Sequence, residues 1–225
     1  MRKATLIVFC FLSLISWAQE DPFAGKLGSW NVLNVSKDFN KTFGVFAEAQ
    51  LRSLSFYNEF HYYEFKGGFH YDLDSVFSFI VGAGRYDTYS PGGNFESPVK
   101  NQEIRSWGEF RIRHEFRRAR LDHRYRAEQR FTSNGYRNRF RYRLALTVPI
   151  NSLEIKKGVA YVQCWNELFF TDKATYFERN RIYLGIGRRM TDHLTIQSGY
   201  LHQFDYNLTD ETGRDFLQIA ISLDL

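Results

Sequence analysis

Two cysteines, Cys10 and Cys164, are all that the 225 residues contain, and no apolar run after Trp17 is long enough for a membrane-crossing helix. The first scarcity argues against a disulfide-stapled secreted domain, because Cys10 falls inside an N-terminal leader and leaves one thiol in the remaining chain. The second argues against a helical inner-membrane protein. No convincing 3.6-residue hydrophobic period occurs either, so no amphipathic helix is predicted. Catalytic and ligand-binding motifs are equally scarce. Gly67-Gly68, Gly82, Gly84, Gly185 and Gly187 follow no strand-to-helix turn and make poor phosphate loops. They are read as relieving crowding or permitting bends in strands. His61 with Glu59, and His70 with Asp72, form i, i+2 pairs that strands produce by chance, so no metal and no other cofactor is expected.

What the chain has instead is charge on alternate residues. From Glu103 to Phe116 the odd positions carry Glu103, Arg105, Trp107, Glu109, Arg111, Arg113 and Glu115, while the even ones include Ile104, Phe110, Ile112 and Phe116. The scheme returns with Arg120, Asp122, Arg124, Arg126, Glu128 and Arg130 opposite Leu121, Tyr125, Ala127 and Phe131. It returns again from Arg139 through Arg141 and Arg143. A period of two belongs to a strand with one ionic and one apolar face. In a sandwich the apolar faces meet in a dry core; in an outer-membrane barrel they meet lipid, and the ionic faces line the interior. An aromatic fraction of 18% with a mean hydropathy of −0.43 suits the barrel, whose strands need only alternate apolar residues. The net charge of +5 and pI near 9.1 would fit a nucleic-acid binder on paper, but an exported chain with aromatics interleaved throughout is not expected to bind nucleic acid.

The start of the sequence points to export. Met1-Arg2-Lys3 is a positive n-region, residues 4–17 are apolar, and Ser16-Trp17-Ala18 ends in the small-x-small pattern of a cleavage site. The expected organisation is a signal peptide over 1–18, an N-terminal segment over 19–27 and one barrel domain over 28–225, located in a bacterial outer membrane. Eleven candidate strands lie at 28–37, 42–53, 59–72, 75–89, 102–116, 119–131, 138–150, 158–170, 179–190, 193–206 and 214–225. Connections alternate between short ones, near 38–40, 73–75, 117–118, 151–157 and 191–192, and longer ones near 53–58, 90–101, 132–137, 171–178 and 205–213. Such asymmetry marks the two sides of a membrane barrel. Closed single-chain barrels usually have even strand numbers, so a further short strand within 19–26 is expected, for twelve, with ten as the next choice. The predicted fold is all-β: a closed antiparallel up-and-down transmembrane barrel of 10 to 12 strands, contacting outer-membrane lipid and the barrel assembly machinery.

The pattern also specifies registers. A type I′ turn at Asn134-Gly135 would set Glu128 against Arg141, Arg126 against Arg143, Ala127 against Tyr142 and Tyr125 against Leu144. A turn at Arg117-Arg118 would set Glu115 against Arg120, Arg113 against Asp122 and Glu109 against Arg126, avoiding like charges in opposition.

The runs His123-Arg-Tyr-Arg-Ala-Glu-Gln-Arg-Phe131, Arg139-Phe-Arg-Tyr-Arg-Leu144, Asn166-Glu-Leu-Phe169, Glu178-Arg-Asn-Arg-Ile-Tyr-Leu-Gly-Ile-Gly187 and Gly199-Tyr200 resemble those of a bacterial outer-membrane barrel family, domain of unknown function 2490. The resemblance spans most of 28–225. It implies a fold and a location and supplies no catalytic residues.

Thirteen arginines fall between Arg105 and Arg143, so a water-filled path beside them would be strongly positive. The candidate site is a lumenal charge ladder of Arg105, Glu109, Arg111, Arg113, Glu115, Arg120, Asp122, Arg124, Arg126, Glu128, Arg130, Arg139, Arg141, Arg143 and Arg181. One reading is a narrow anion-selective channel for small acidic solutes, since a guanidinium presents a planar fork to carboxylates, phosphates and sulfates. The other is a side-chain-filled structural barrel in which Glu and Asp bridge the arginines and nothing passes. An outer-membrane lipid hydrolase is the lesser alternative. His114, His123 and His202 fall on the apolar phase without a clearly paired serine, and the chain is not expected to be an enzyme.

Overall fold

The computed structural model describes residues 23, 25–173, 175–206 and 211–225. The predicted signal peptide and most of the 19–27 segment lie outside them. Eleven strands are present: β1 (Leu27–Asp38), β2 (Phe43–Ser55), β3 (Asn58–Asp72), β4 (Phe77–Tyr89), β5 (Val99–Phe116), β6 (Ala119–Thr132), β7 (Gly135–Pro149), β8 (Ala160–Thr171), β9 (Phe177–Arg189), β10 (Leu194–Tyr206) and β11 (Glu211–Asp224). Each falls where the alternation predicts it, and no helix occurs among the described residues. The strands close into one barrel in which sequence neighbours pair throughout.

The closure corrects the expectation of twelve or ten strands. Of residues 19–26, only Phe23, Gly25 and Lys26 are described, and none is in a strand. With eleven strands joined by hairpins, β1 and β11 run the same way, so the seam between them is parallel, from Leu27↔Asp215 to Ser36↔Asp224. The barrel is therefore mixed rather than purely antiparallel. Parallel strands cannot be joined by a tight hairpin, and β1 and β11 are linked only through the nine strands between them. As a result β1 begins at one rim, here the N rim, and β11 ends at the other, the C rim.

The predicted contrast between short and long connections does not hold. At the N rim, the β2–β3 and β6–β7 ladders continue to Ser55↔Asn58 and Thr132↔Gly135, leaving only Phe56-Tyr57 and Ser133-Asn134 as links. At the C rim, 150–159 forms an extended connection. Polar residues that read as loop from sequence are drawn into ladders because the neighbouring strand supplies backbone partners.

One predicted register holds and one shifts. In β5–β6, Glu115 opposes Arg120, Arg113 opposes Asp122 and Glu109 opposes Arg126, as expected. In β6–β7, Glu128 opposes Arg139 rather than Arg141, Arg126 opposes Arg141, Ala127 opposes Phe140 and Tyr125 opposes Tyr142. The turn sits one residue earlier than predicted. Gly135 takes φ of 107° and pairs with Thr132, whereas a type I′ turn centred on Asn134-Gly135 would need positive φ at Asn134 as well. The Thr132 hydroxyl fixes this turn, accepting from the Asn134 amide at 3.0 Å and donating to the Gly135 carbonyl at 2.9 Å. A shift of two residues in the pairing preserves both faces.

The faces accordingly match the sequence. Phe116, Tyr125, Phe140 and Leu144 are exposed on the outside. On the same face Phe110 stacks on Phe77 and Tyr142 lies 5.0 Å from Tyr125, with Ile112 alternating in phase. Exposed apolar side chains continue around the barrel through Leu33, Phe69, Val81, Ile104, Leu184 and Ile221. The core is inside. One cluster contains Trp30, Val32, Tyr183, Leu201 and Phe216, and another contains Tyr62, Tyr86 and Trp107. Inward glycines make room for the rings: Tyr161 lies over Gly187, and a Cβ on Gly82 would meet Trp107 Cε2 at 2.7 Å.

Candidate functional site

The inner faces of β5, β6 and β7 form an ionic wall in which each carboxylate serves several guanidiniums. Glu128 accepts from Arg139 Nε at 2.8 Å and from Arg141 Nη1 at 2.7 Å, with Arg126 at 3.7 Å. Glu109 accepts from Arg126 and from Arg111, both at 2.5 Å. Glu103 is gripped by Arg105 through Nε at 2.6 Å and Nη2 at 3.0 Å, and also by Arg130. Glu167 on β8 takes Arg141 through Nε at 2.9 Å and also takes Arg124. Such sharing is what like-charge opposition demands. Arg111, Arg124 and Arg143 stand in register across three strands, as do Arg126 and Arg141 across two, so carboxylates shared between several arginines are what relieves them.

Two guanidiniums stay outside this scheme. Arg143 and Arg181 are the register partners of Glu167 on either side, yet the carboxylate turns to Arg141 and Arg124 instead. Arg181 is held by Gln203 Oε1 at 2.8 Å and lies 4.8 Å from the Trp30 ring centre. Arg143 lies 5.5 Å over Trp165. Neither has a carboxylate within salt-bridge distance among the described residues.

From β8 through β11 to β1 the wall changes character. Trp165 stacks on Tyr183 at 5.2 Å, and Gln197 joins the hydroxyls of Tyr161 (2.8 Å) and Tyr183 (2.9 Å) to the Gln163 amide (3.0 Å). Between the walls lies a cavity of about 1000 Å³ whose lining reaches from Lys100 and Arg214 near the N rim to Asp38 and Asp224 near the C rim. Fifteen arginines and two lysines line it against nine carboxylates, so its surface carries a positive excess. Glu109 and Glu128 are buried beneath the arginines rather than presented to the cavity.

Of the predicted ladder, Arg105, Arg111, Arg113, Arg120, Arg124, Arg126, Arg130, Arg139, Arg141, Arg143 and Arg181 all line the cavity, and Asp122 bridges Arg120 and Arg113 at 2.8 and 3.2 Å. Glu115 does not join. It is exposed beside the Arg117-Arg118 turn, beyond the reach of the inner network. Sequence reasoning missed Glu167 and Glu178, which complete the network, and Arg52 with Glu64 and Lys66 on β2 and β3. Their strands alternate charge with aromatic and amide residues on the inner face, so a search for continuous ionic alternation passes over them.

The remaining candidates separate. Glu59 accepts from the amides of Gly92 and Gly93 in the β4–β5 loop, while His61 lines the cavity, so this pair is divided. His70 lies 3.0 Å from Asp38 and 3.8 Å from Asp72, and no group of three metal-ligating side chains occurs among the described residues. On the outside, His123 bonds the Tyr142 hydroxyl at 2.9 Å and His202 bonds Asp215 at 2.7 Å. Among the described residues no serine hydroxyl joins either histidine. Cys164 is a free thiol on the outward phase of β8.

A family model described as "Protein of unknown function (DUF2490)" matches residues 27–214, the whole barrel except most of β11. The chain belongs to this family. No curated protein and no solved structure matches it. For this DUF2490 chain, then, the barrel and its arginine-lined interior are the starting point for a functional reading.

Proposed function

We propose that this DUF2490 chain is a bacterial outer-membrane barrel whose lumen conducts small acidic solutes. The membrane part of the reading is supported by the leader-like start of the sequence and by apolar side chains exposed around the barrel, on a scale that a soluble monomer seldom presents. Its partners are then outer-membrane lipid and the machinery that inserts barrels. The observation that carries conduction is the pair Arg143 and Arg181, which face a cavity reaching toward both rims without a carboxylate of their own. Guanidiniums with unused donors offer an anion a place to bind and leave, and a ring of fixed positive charge raises the local anion concentration. The filled-barrel reading rests on the buried Glu109 and Glu128, which tie much of the ionic wall into fixed pairs.

Planar-bilayer recording of the reconstituted protein tests the proposal. An anion-selective reversal potential in a potassium chloride gradient is expected, and Arg143→Gln with Arg181→Gln should lower the anion-to-cation permeability ratio. Absence of current in the wild type, or an unchanged ratio in the double variant, would refute conduction through this path.

A further inference from the structure

We infer that the favoured solute is a polyhydroxylated acid of the sugar-acid class, held between the ionic wall and the amide-and-ring wall facing it. The inference rests on the acidic-solute reading above and narrows it. In the C-rim half of the lumen, Arg111, Arg124 and Arg143 stand side by side. Guanidiniums only donate hydrogen bonds, so this side suits carboxylates and cannot satisfy the donor half of a hydroxyl group.

The opposite side can. From β8 around to β1, the cavity-lining residues of this half are amides, hydroxyls and rings with Val32 and Ala220 among them, and carboxylates come only at the rim, with Asp38 and Asp224. Amide and hydroxyl groups both donate and accept, which is what a row of sugar hydroxyls requires. Gln218 is the clearest case: it lines the cavity, and its amide has no hydrogen-bond partner among the described residues. Trp165, backed by the stacked Tyr183 ring, adds a flat apolar surface for the carbon-bound hydrogens of a sugar ring.

Three simpler solutes fit less well. An inorganic anion would use the arginines and leave the amide wall idle. A hydroxyl-free organic acid would cover the Gln218 amide without replacing its hydrogen bonds to water, and a desolvated, unpaired amide is unfavourable. A neutral saccharide would meet the amides but leave the guanidiniums uncompensated.

The test compares three probes on the full reconstituted protein: trigalacturonate, with carboxylates and hydroxyls; tricarballylate, with carboxylates alone; and maltotriose, with hydroxyls alone. Interruption of the chloride current by trigalacturonate is expected at concentrations at least ~10-fold below either of the others, a difference of about 1.4 kcal/mol. Gln218→Leu should shrink the advantage over tricarballylate, and Arg143→Gln should shrink the advantage over maltotriose. Gln197→Leu provides a second amide-wall variant if Gln218→Leu does not assemble, with assembly judged by heat-dependent gel mobility. Equal interruption by trigalacturonate and tricarballylate in the wild type, or an unchanged ratio in every assembled amide-wall variant, would overturn the inference. If no chloride current is seen, the conduction reading fails by itself. Tryptophan fluorescence titration in detergent then asks the present question separately. The same order of affinities upholds the sugar-acid class, and equal or absent binding rejects it.

Discussion

Across β5–β7 the inward space is occupied by guanidiniums tied to shared carboxylates, whereas across β8–β11 and β1 rings and amides packed against one another share it with a few ions such as Glu167, Arg181 and the Arg179–Asp205 pair. Both walls arise from the same two-residue period, yet they fail in different ways. In the ionic wall one carboxylate satisfies two or three arginines, so stability is concentrated in a few acids. In the ring wall, large side chains lie along the backbone and fit because the neighbouring inward position is glycine, so stability depends on the absence of a Cβ. A charged interior is thus sensitive to losing a partner, and an aromatic interior to gaining an atom.

The largest expected effect comes from Glu128→Leu. Its loss takes one carboxylate from each of Arg126, Arg139 and Arg141 in a buried site, leaving them Glu109, Glu178 and Glu167, and removing one partner from buried pairs costs about 3–5 kcal/mol. Urea titration of the folded barrel should show the corresponding drop in midpoint, and replacing Arg139 as well should restore part of it. Gly185→Ala comes next. A Cβ there would stand 2.6 Å from the Ser198 carbonyl oxygen and would collide with the Tyr183 hydroxyl, so overpacking by roughly 1–3 kcal/mol is expected in the same titration. Gly108→Ala gives an outside control, because this glycine lies on the outward phase of β5 and has open space where its Cβ would be. It should be stabilising by about 0.4–1 kcal/mol, through the reduced freedom of the unfolded chain. The smallest effect is expected from Arg143→Gln, within about 0.5 kcal/mol of wild type, since this guanidinium has no carboxylate to abandon. A loss as large as that of Glu128→Leu would mean that Arg143 is part of the fixed network after all.

The faces of β5, β6 and β7 were legible because side-chain direction there depends only on the parity of position. Registers were legible only where charge discriminates between neighbouring alignments. The Arg117-Arg118 hairpin is such a case: a two-residue slip would oppose Glu115 to Asp122 and Glu109 to Glu128. The β6–β7 hairpin is not, because both strands are so rich in arginine that either alignment opposes like charges somewhere, and the Thr132 hydroxyl settles the turn. The ionic half of the site could be read for the same reason that its faces could. The ring-and-amide half could not, because Trp165, Tyr183 and Phe216 resemble outward residues until the closed barrel turns them inward. The parallel seam left no local trace, since nothing in β1 or β11 alone records which strand it will meet.

That seam also constrains the order of events during folding. Every other ladder joins strands adjacent in sequence and can zip from its own hairpin, but β1 must wait for β11, with the rest of the barrel between them. Until then both strands present unpaired backbone edges, the form of strand most prone to pair with another chain. Closure is therefore an all-or-nothing last step with a large loop entropy to overcome. A chain halted before β11 would be an open sheet with two adhesive edges, so truncation within the last strand should yield aggregates in place of a smaller barrel.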